Sequence, residues 1–117
     1  MTRVLIAEPS PDVRLLLRRA VKRLGFEAVE LTSRERADPS SADVLLLEPA
    51  MRGGVELAHT ARRFRSGVPI VICSIYSATP ELAALEPVAY LVKPFRREEL
   101  ARALSRAATP SAHIEAA

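Results

Sequence analysis

The 117-residue sequence predicts an α/β fold, a doubly wound five-stranded parallel sheet of (βα)5 type, and three observations carry that expectation. Short apolar runs recur along the chain, "VLIA", "VLLL" and "PIVICS", and are continuous rather than alternating, as strands buried on both faces are. Segments with apolar residues at helical spacing lie between them. The joints carry helix start and stop signals, clearest at Ser10-Pro11 and at Gly25. Strands alternating with helices in this way imply right-handed parallel crossovers that cover both faces of one sheet.

Val4 to Ala7 form the first strand. A helix follows, with Ser10 as N-cap, Pro11 at the first helical position and Asp12 in the first turn, where its charge complements the helix dipole. Val13, Leu16, Leu17, Ala20, Val21 and Leu24 repeat at i, i+3, i+4, i+7, i+8 and i+11, which makes one apolar face, and Gly25 ends the helix. The second strand is "EAVEL", followed by the polar segment "TSRERADPSSA" and the third strand "VLLL". A helix over 55–64, the strand "PIVICS", a short helix near 80–85, the strand "VAYLV" and a last helix over 96–107 complete the pattern. The last helix should face inward with Leu100, Ala103, Leu104 and Ala107. The short segments after the second and fourth strands predict a stunted second and fourth helix. Residues 1–108 form one domain, and 109–117, turn formers and small residues without periodicity, read as a flexible tail or linker stub.

At this length, with 49% hydrophobic residues, one core can form without disulfide or metal. No apolar run approaches the ~20 residues of a membrane span, and the start shows no signal-peptide pattern, so a cytoplasmic protein is expected. Cys73 stands alone inside an apolar strand and reads as a buried structural thiol; His59 and His113 have no companions at ligand spacing and read as surface residues. Fifteen of the 17 basic residues are arginine, against 14 acids, a net charge of +3 that permits nucleic-acid contact without arguing for it.

Ligands of open parallel sheets collect at the carboxyl ends of the strands. There the five strands would present Glu8 and Pro9, Glu48, Ser74, and Lys93 followed by Pro94. This arrangement, with "YLVKPF" as its most specific string, resembles the receiver domain of bacterial two-component response regulators, the CheY-like branch of the flavodoxin-like folds, over about residues 2–107. The resemblance implies a phosphorelay role in which an aspartate after the third strand takes a phosphoryl group from a histidine kinase with Mg2+ present. It assigns Glu48 to the phosphoacceptor position, Glu8 and Pro9 to the acidic pocket, Ser74 and Tyr90 to the switch positions, and Lys93 with Pro94 to the phosphoryl contact. It also implies a cis peptide bond before Pro94.

The departures from that pattern define an atypical, pseudo-receiver reading. Pro9 supplies no carboxylate, Glu8 and Glu48 each reach one methylene further than aspartate, Ile75 stands where a small residue is usual, and Arg52 replaces the proline usual four residues after the acceptor. In-line displacement is sensitive to about 1 Å in the attacking atom, and Mg2+ demands near-octahedral oxygen ligands. The expectation is therefore no enzymatic activity, no catalytic or metal-ligating residue, no cofactor beyond weak Mg2+ binding, and phosphorylation-independent action as a protein-interaction or dimerisation module. Partners would be other signalling proteins, a histidine kinase or an output domain of a longer chain. A homodimer would form through the fourth helix, fifth strand and fifth helix.

Two alternatives stay open at this level. One is a working receiver phosphorylated at an unusual acceptor, Ser74 or a displaced carboxylate. The other is a small arginine-rich nucleic-acid-binding domain using Arg14, Arg18, Arg19, Lys22 and Arg23, which the scarcity of exposed aromatic residues argues against. The simpler readings are a solvated helix face for those arginines, a strand-end cap for Ser74 and a space-filling ring for Tyr90.

Overall fold

The computed structural model describes residues 1–31 and 39–109. Five strands, β1 (Arg3–Ala7), β2 (Glu27–Leu31), β3 (Val44–Leu47), β4 (Ile70–Ser74) and β5 (Ala89–Val92), form one sheet in the order β2-β1-β3-β4-β5. Every pairing is parallel. The helices are α1 (Pro11–Arg23), α2 (Gly54–Phe64), α3 (Pro80–Ala83) and α4 (Arg97–Ala107). Four α-helices rather than five appear among the described residues. The crossover from β2 to β3 shows a 3-10 turn at Pro39–Ser41, and the rest of its polar segment, 32–38, lies outside the described residues, as does the tail from residue 110.

The continuous apolar strands sort by the two-residue period of a pleated sheet into two cores. Val4 and Ile6, Val44 and Leu46, and Val71 and Cys73 face α1 and α4, where Leu17, Val21, Leu100, Ala103 and Leu104 meet them. Leu5 and Ala7, Leu45 and Leu47, and Ile70 and Ile72 face the other way, onto Ala58 and Ala61 of α2 and Leu82 of α3. Each fully buried Leu or Ile stabilises the fold by about 1.5–3 kcal/mol, so both layers are needed. No helix among the described residues is long and apolar enough to cross a membrane.

The helix boundaries follow their local chemistry. Ser10 caps α1 by accepting from the Val13 N–H at 3.5 Å, and Pro11 opens it. At the other end Gly25, at φ +81, donates to Lys22 O while Phe26 donates to Val21 O, which satisfies the last carbonyls in a Schellman arrangement. Thr79 caps α3 through the Leu82 N–H, and the helix stops after one turn, with Pro87 disfavouring helical backbone just beyond. The last helix starts one residue later than the sequence predicts because Arg96 is its extended N-cap residue, its N–H donating to Glu99.

Leu16 corrects the expected apolar face of α1. Leu17 is 2% exposed, whereas Leu16 is 64% exposed. At 3.6 residues per turn Leu16 points about 100° away from Leu17, far enough to leave the sheet and reach the edge of the helix.

Candidate functional site

The last register pair between β1 and β3 is Ala7 with Leu47, and the Glu48 N–H donates to Ala7 O at 2.9 Å. Glu8 and Glu48 therefore leave neighbouring strands side by side. β2 and β3 flank β1 on opposite sides, so this is the point where the strand order reverses and a crevice opens. Lys93 leaves β5, and its N–H donates to Ser74 O at 2.7 Å. Its long side chain passes the end of β4 to reach both acids.

The lysine closes on them. Lys93 Nζ donates to Glu8 Oε1 at 2.6 Å and to Glu48 Oε1 at 3.1 Å. Each remaining carboxylate oxygen is taken by a main-chain amide two residues on: Glu8 Oε2 accepts from Ser10 N–H at 3.0 Å, and Glu48 Oε2 from Ala50 N–H at 3.2 Å. Glu8 is 2% and Glu48 5% exposed, and no buried side-chain polar atom among the described residues lacks a partner. Buried charges persist when paired and hydrogen-bonded, and here both conditions hold on every oxygen.

Burial works against the Lys93 ammonium, but the hydrogen bonds to Glu8 and Glu48 and their charges outweigh it, and its pKa lies above the ordinary lysine value. Cys73, on the strand between, is pushed up to about 12, chiefly by burial; Lys93 pulls it down and the two carboxylates push it up. It is a core thiol.

The Glu48 loop is shaped by residues that the sequence reading passed over. Glu48 O accepts from Met51 N–H at 3.0 Å and Met51 O from Gly54 N–H at 2.8 Å, folding the chain back into α2. Gly53 sits at φ +75, a left-handed conformation that costs other residues energy. At Gly54 a Cβ would lie 3.2 Å from Glu48 O and from Leu47 Cδ1, so the helix approaches the acid's own carbonyl. The adjacent glycines at the start of the helix were the available signal. Arg14, expected on a solvated face, instead donates to Glu8 O at 3.0 Å and braces the first loop.

Ser74 and Tyr90 form a separate group. The buried Ser74 hydroxyl accepts from Tyr76 N–H at 3.1 Å, and Tyr90 donates its hydroxyl to Tyr76 O at 2.8 Å. Both expected switch residues thus hold the backbone of one exposed tyrosine. Ser74 ends β4, and the half-buried Tyr90 ring packs on the α2 side of the sheet. Pro9 and Pro94 are exposed, and the Lys93-Pro94 bond is cis.

Solved structures with this fold are numerous. The chain superposes on the CheY4 chemotaxis protein of Vibrio cholerae with a TM-score of 0.78 at 24% identity, covering 92% of this chain and 98% of that one. The response regulator TrrA of Thermotoga maritima, solved in complex with Mg2+-BeF, gives 0.76 at 24% identity over 92% and 99% of the two chains. The chain has the receiver-domain fold. NtrX of Brucella abortus gives 0.77 at 17% identity over 98% of this chain but only 28% of that longer one. At these identities the likeness establishes the fold alone. No protein-family model matches the sequence, and no curated protein matches it significantly.

The fold raises the question of Mg2+, and the donor set does not fit it. Pro9 brings no oxygen ligand from its side chain, both carboxylates are committed to an ammonium and to amides, and no cluster of three His, Cys, Asp or Glu residues suited to a metal exists among the described residues. An octahedral ion needs several oxygens free to turn toward it. A receiver fold with this end of its sheet carries its own cation on a tether.

Proposed function

We propose that this chain is a receiver-type signalling module that works without phosphoryl transfer, Glu48 standing in the phosphoacceptor position as a fixed carboxylate. The observation that carries this reading is the engagement of all four oxygens of Glu8 and Glu48 by Lys93 and two main-chain amides. An attacking carboxylate must present a free oxygen in line with phosphorus, and catalysis of that transfer rests almost wholly on positioning and on cations at the transferring group. Here each oxygen already accepts from an ammonium or an amide, which ties its orientation, and Pro9 withholds a magnesium ligand. Glu48 supplies about one negative charge where a phosphoryl group supplies nearly two, enough to keep Lys93 drawn across the strand ends.

The module then acts by contact with other signalling proteins and stays in one arrangement of the Lys93 loop. In NtrX the matching unit is a minor part of a longer chain, so an output segment in the same polypeptide is one arrangement for this unit as well. Association through α3, β5 and α4 belongs to the same reading, with Val92 and Tyr76 as exposed apolar contacts on that side.

The test is intact-mass measurement after incubation with acetyl phosphate and Mg2+. The parent chain should gain no phosphoryl group, while the double variant Pro9→Asp/Glu48→Asp, which restores short carboxylates, should gain some. Ready labelling of the parent at Glu48 or Ser74 would overturn the reading.

A further inference from the structure

A groove of about 560 Å3 lies between α1 and α4, beside the carboxylate site rather than in it. That volume falls within the range of about 300–1,000 Å3 in which proteins hold small organic molecules. Leu17 and Leu100 form its buried floor, and Leu16 and Ile75 are its shoulders at 64% and 59% exposed. We infer that this groove binds a small amphipathic organic anion, a carboxylate or phosphate head on a single aliphatic tail. The inference goes beyond the reading above, because neither Glu8 nor Glu48 lines the groove.

Charge selects the head. Arg19, Arg23 and Arg97 line the groove together with Lys93, and no Asp or Glu does. The Lys93 ammonium is committed to Glu8 and Glu48, whereas the three arginines make no ion pair among the described residues. Arg19 and Arg23 stand one turn apart on the same side of α1, and a guanidinium fork matches a carboxylate or phosphate with two parallel hydrogen bonds. All three are exposed, so a head held by them stays partly solvated and escapes the cost of burying a charge.

Shape and chemistry select the tail. The apolar lining is aliphatic but for Phe95 and Pro94, which suits a methylene chain better than a stacked ring. α1 lines the groove from Val13 to Arg23, about 15 Å of helix axis, the span of a medium-length acyl chain. A tail laid there covers Leu16 and Ile75, two of the largest exposed apolar side chains of the molecule. A polyanion without a tail would satisfy the arginines and leave that apolar surface in water. A second copy docked by two-fold symmetry would set the arginines of α1 against their own equivalents.

The experiment is a proton–nitrogen NMR titration of the whole chain with dodecanoate held below its micelle concentration. Decanoate, octanoate, dodecyltrimethylammonium and inorganic phosphate are the comparison ligands, and sedimentation with phosphatidylglycerol vesicles tests adsorption to a membrane. The amides of Leu16, Ala20, Phe95 and Leu100 should shift saturably with dodecanoate, and affinity should rise about two- to fourfold per methylene from octanoate upward. The cationic amphiphile and phosphate should each bind at least about tenfold more weakly. Leu16→Ser should weaken dodecanoate about fivefold, and Arg19→Glu/Arg23→Glu should abolish the preference for the anion. Phe64→Ser, as exposed as Leu16 but on α2, should change nothing. Unchanged thermal unfolding of these exposed-site variants shows that each still folds. The inference is overturned by shifts that do not saturate or are scattered away from the groove, by equal affinity for the cationic amphiphile or for phosphate, by an unaffected double variant, or by vesicle adsorption without dodecanoate binding. Acetyl phosphate labelling does not depend on Leu16 or Arg19, so failure of this inference and failure of the phosphorylation-independent reading are separately visible.

Discussion

Replacing Lys93 by methionine keeps a long unbranched side chain and removes the cation that two buried acids share. Their Oε1 atoms lie 2.6 and 3.1 Å from the same nitrogen, which places them within about 6 Å of one another. At that separation two like charges repel by roughly 3 kcal/mol for an effective dielectric near 20, and the hydrogen bonds to the ammonium are lost as well. Uncompensated buried charge of this kind costs about 3–5 kcal/mol, which for a domain of this size lowers Tm by roughly 10–20 °C. Thermal unfolding followed by circular dichroism reads this directly. The vacated place is then flanked by two carboxylates, so millimolar Mg2+ should raise the Tm of Lys93→Met and leave the parent unmoved. A variant within about 1 kcal/mol of the parent, or a parent stabilised by Mg2+, would refute the reasoning.

Glu48→Gln removes one charge but keeps an acceptor oxygen for Lys93, which still has Glu8; a loss of about 1–2 kcal/mol in urea unfolding is expected, smaller than for Lys93→Met. Alkaline pH should destabilise the fold in two steps of the same sign. The raised Lys93 pKa contributes stability that is full below the unfolded value of about 10.4 and is lost as pH rises through the folded value, while the Cys73 thiol, held protonated to about 12, favours unfolding once free thiols ionise near pH 9. Urea midpoints between pH 8 and 11 should therefore fall, less steeply in Cys73→Ala. Gly54→Ala should cost about 1–3 kcal/mol, because its Cβ meets Glu48 O and Leu47 Cδ1 at 3.2 Å, and amide shifts at 48–51 should move with it.

The strands were legible because each is buried on both faces and so reads as an unbroken apolar run. The period of two that splits Val4 and Ile6 from Leu5 and Ala7 is invisible in such a run until the two helical layers are in place. Convergence of Glu8, Glu48 and Lys93 could be expected from the strand ends alone. What no spacing rule encodes is how the lysine divides itself between the acids, since that depends on the β2-β1-β3-β4-β5 order bringing β5 two strands from β3. Leu16 misled because an i, i+3, i+4 pattern is blind to the width of the buried stripe; at the edge of the helix the same apolar residue becomes a groove shoulder. Ser74 ends β4 and Tyr90 lies on β5, and the hydroxyls of both are aimed at Tyr76, a contact set by the path of the loop after β4 rather than by any motif.

The central claim, that a tethered ammonium fills the place between Glu8 and Glu48, can be put to a nearly isolated signal, because Lys22 and Lys93 are the chain's two lysines and Lys22 is exposed on α1. Nitrogen-15 NMR of the lysine Nζ groups, with Mg2+ and then acetyl phosphate added, follows Lys93 directly. The account predicts a protected Lys93 ammonium that keeps its proton above the ordinary lysine pKa and does not move with either addition; a Lys93 signal that exchanges freely like Lys22, or one that shifts saturably with Mg2+ or the phosphodonor, would contradict it.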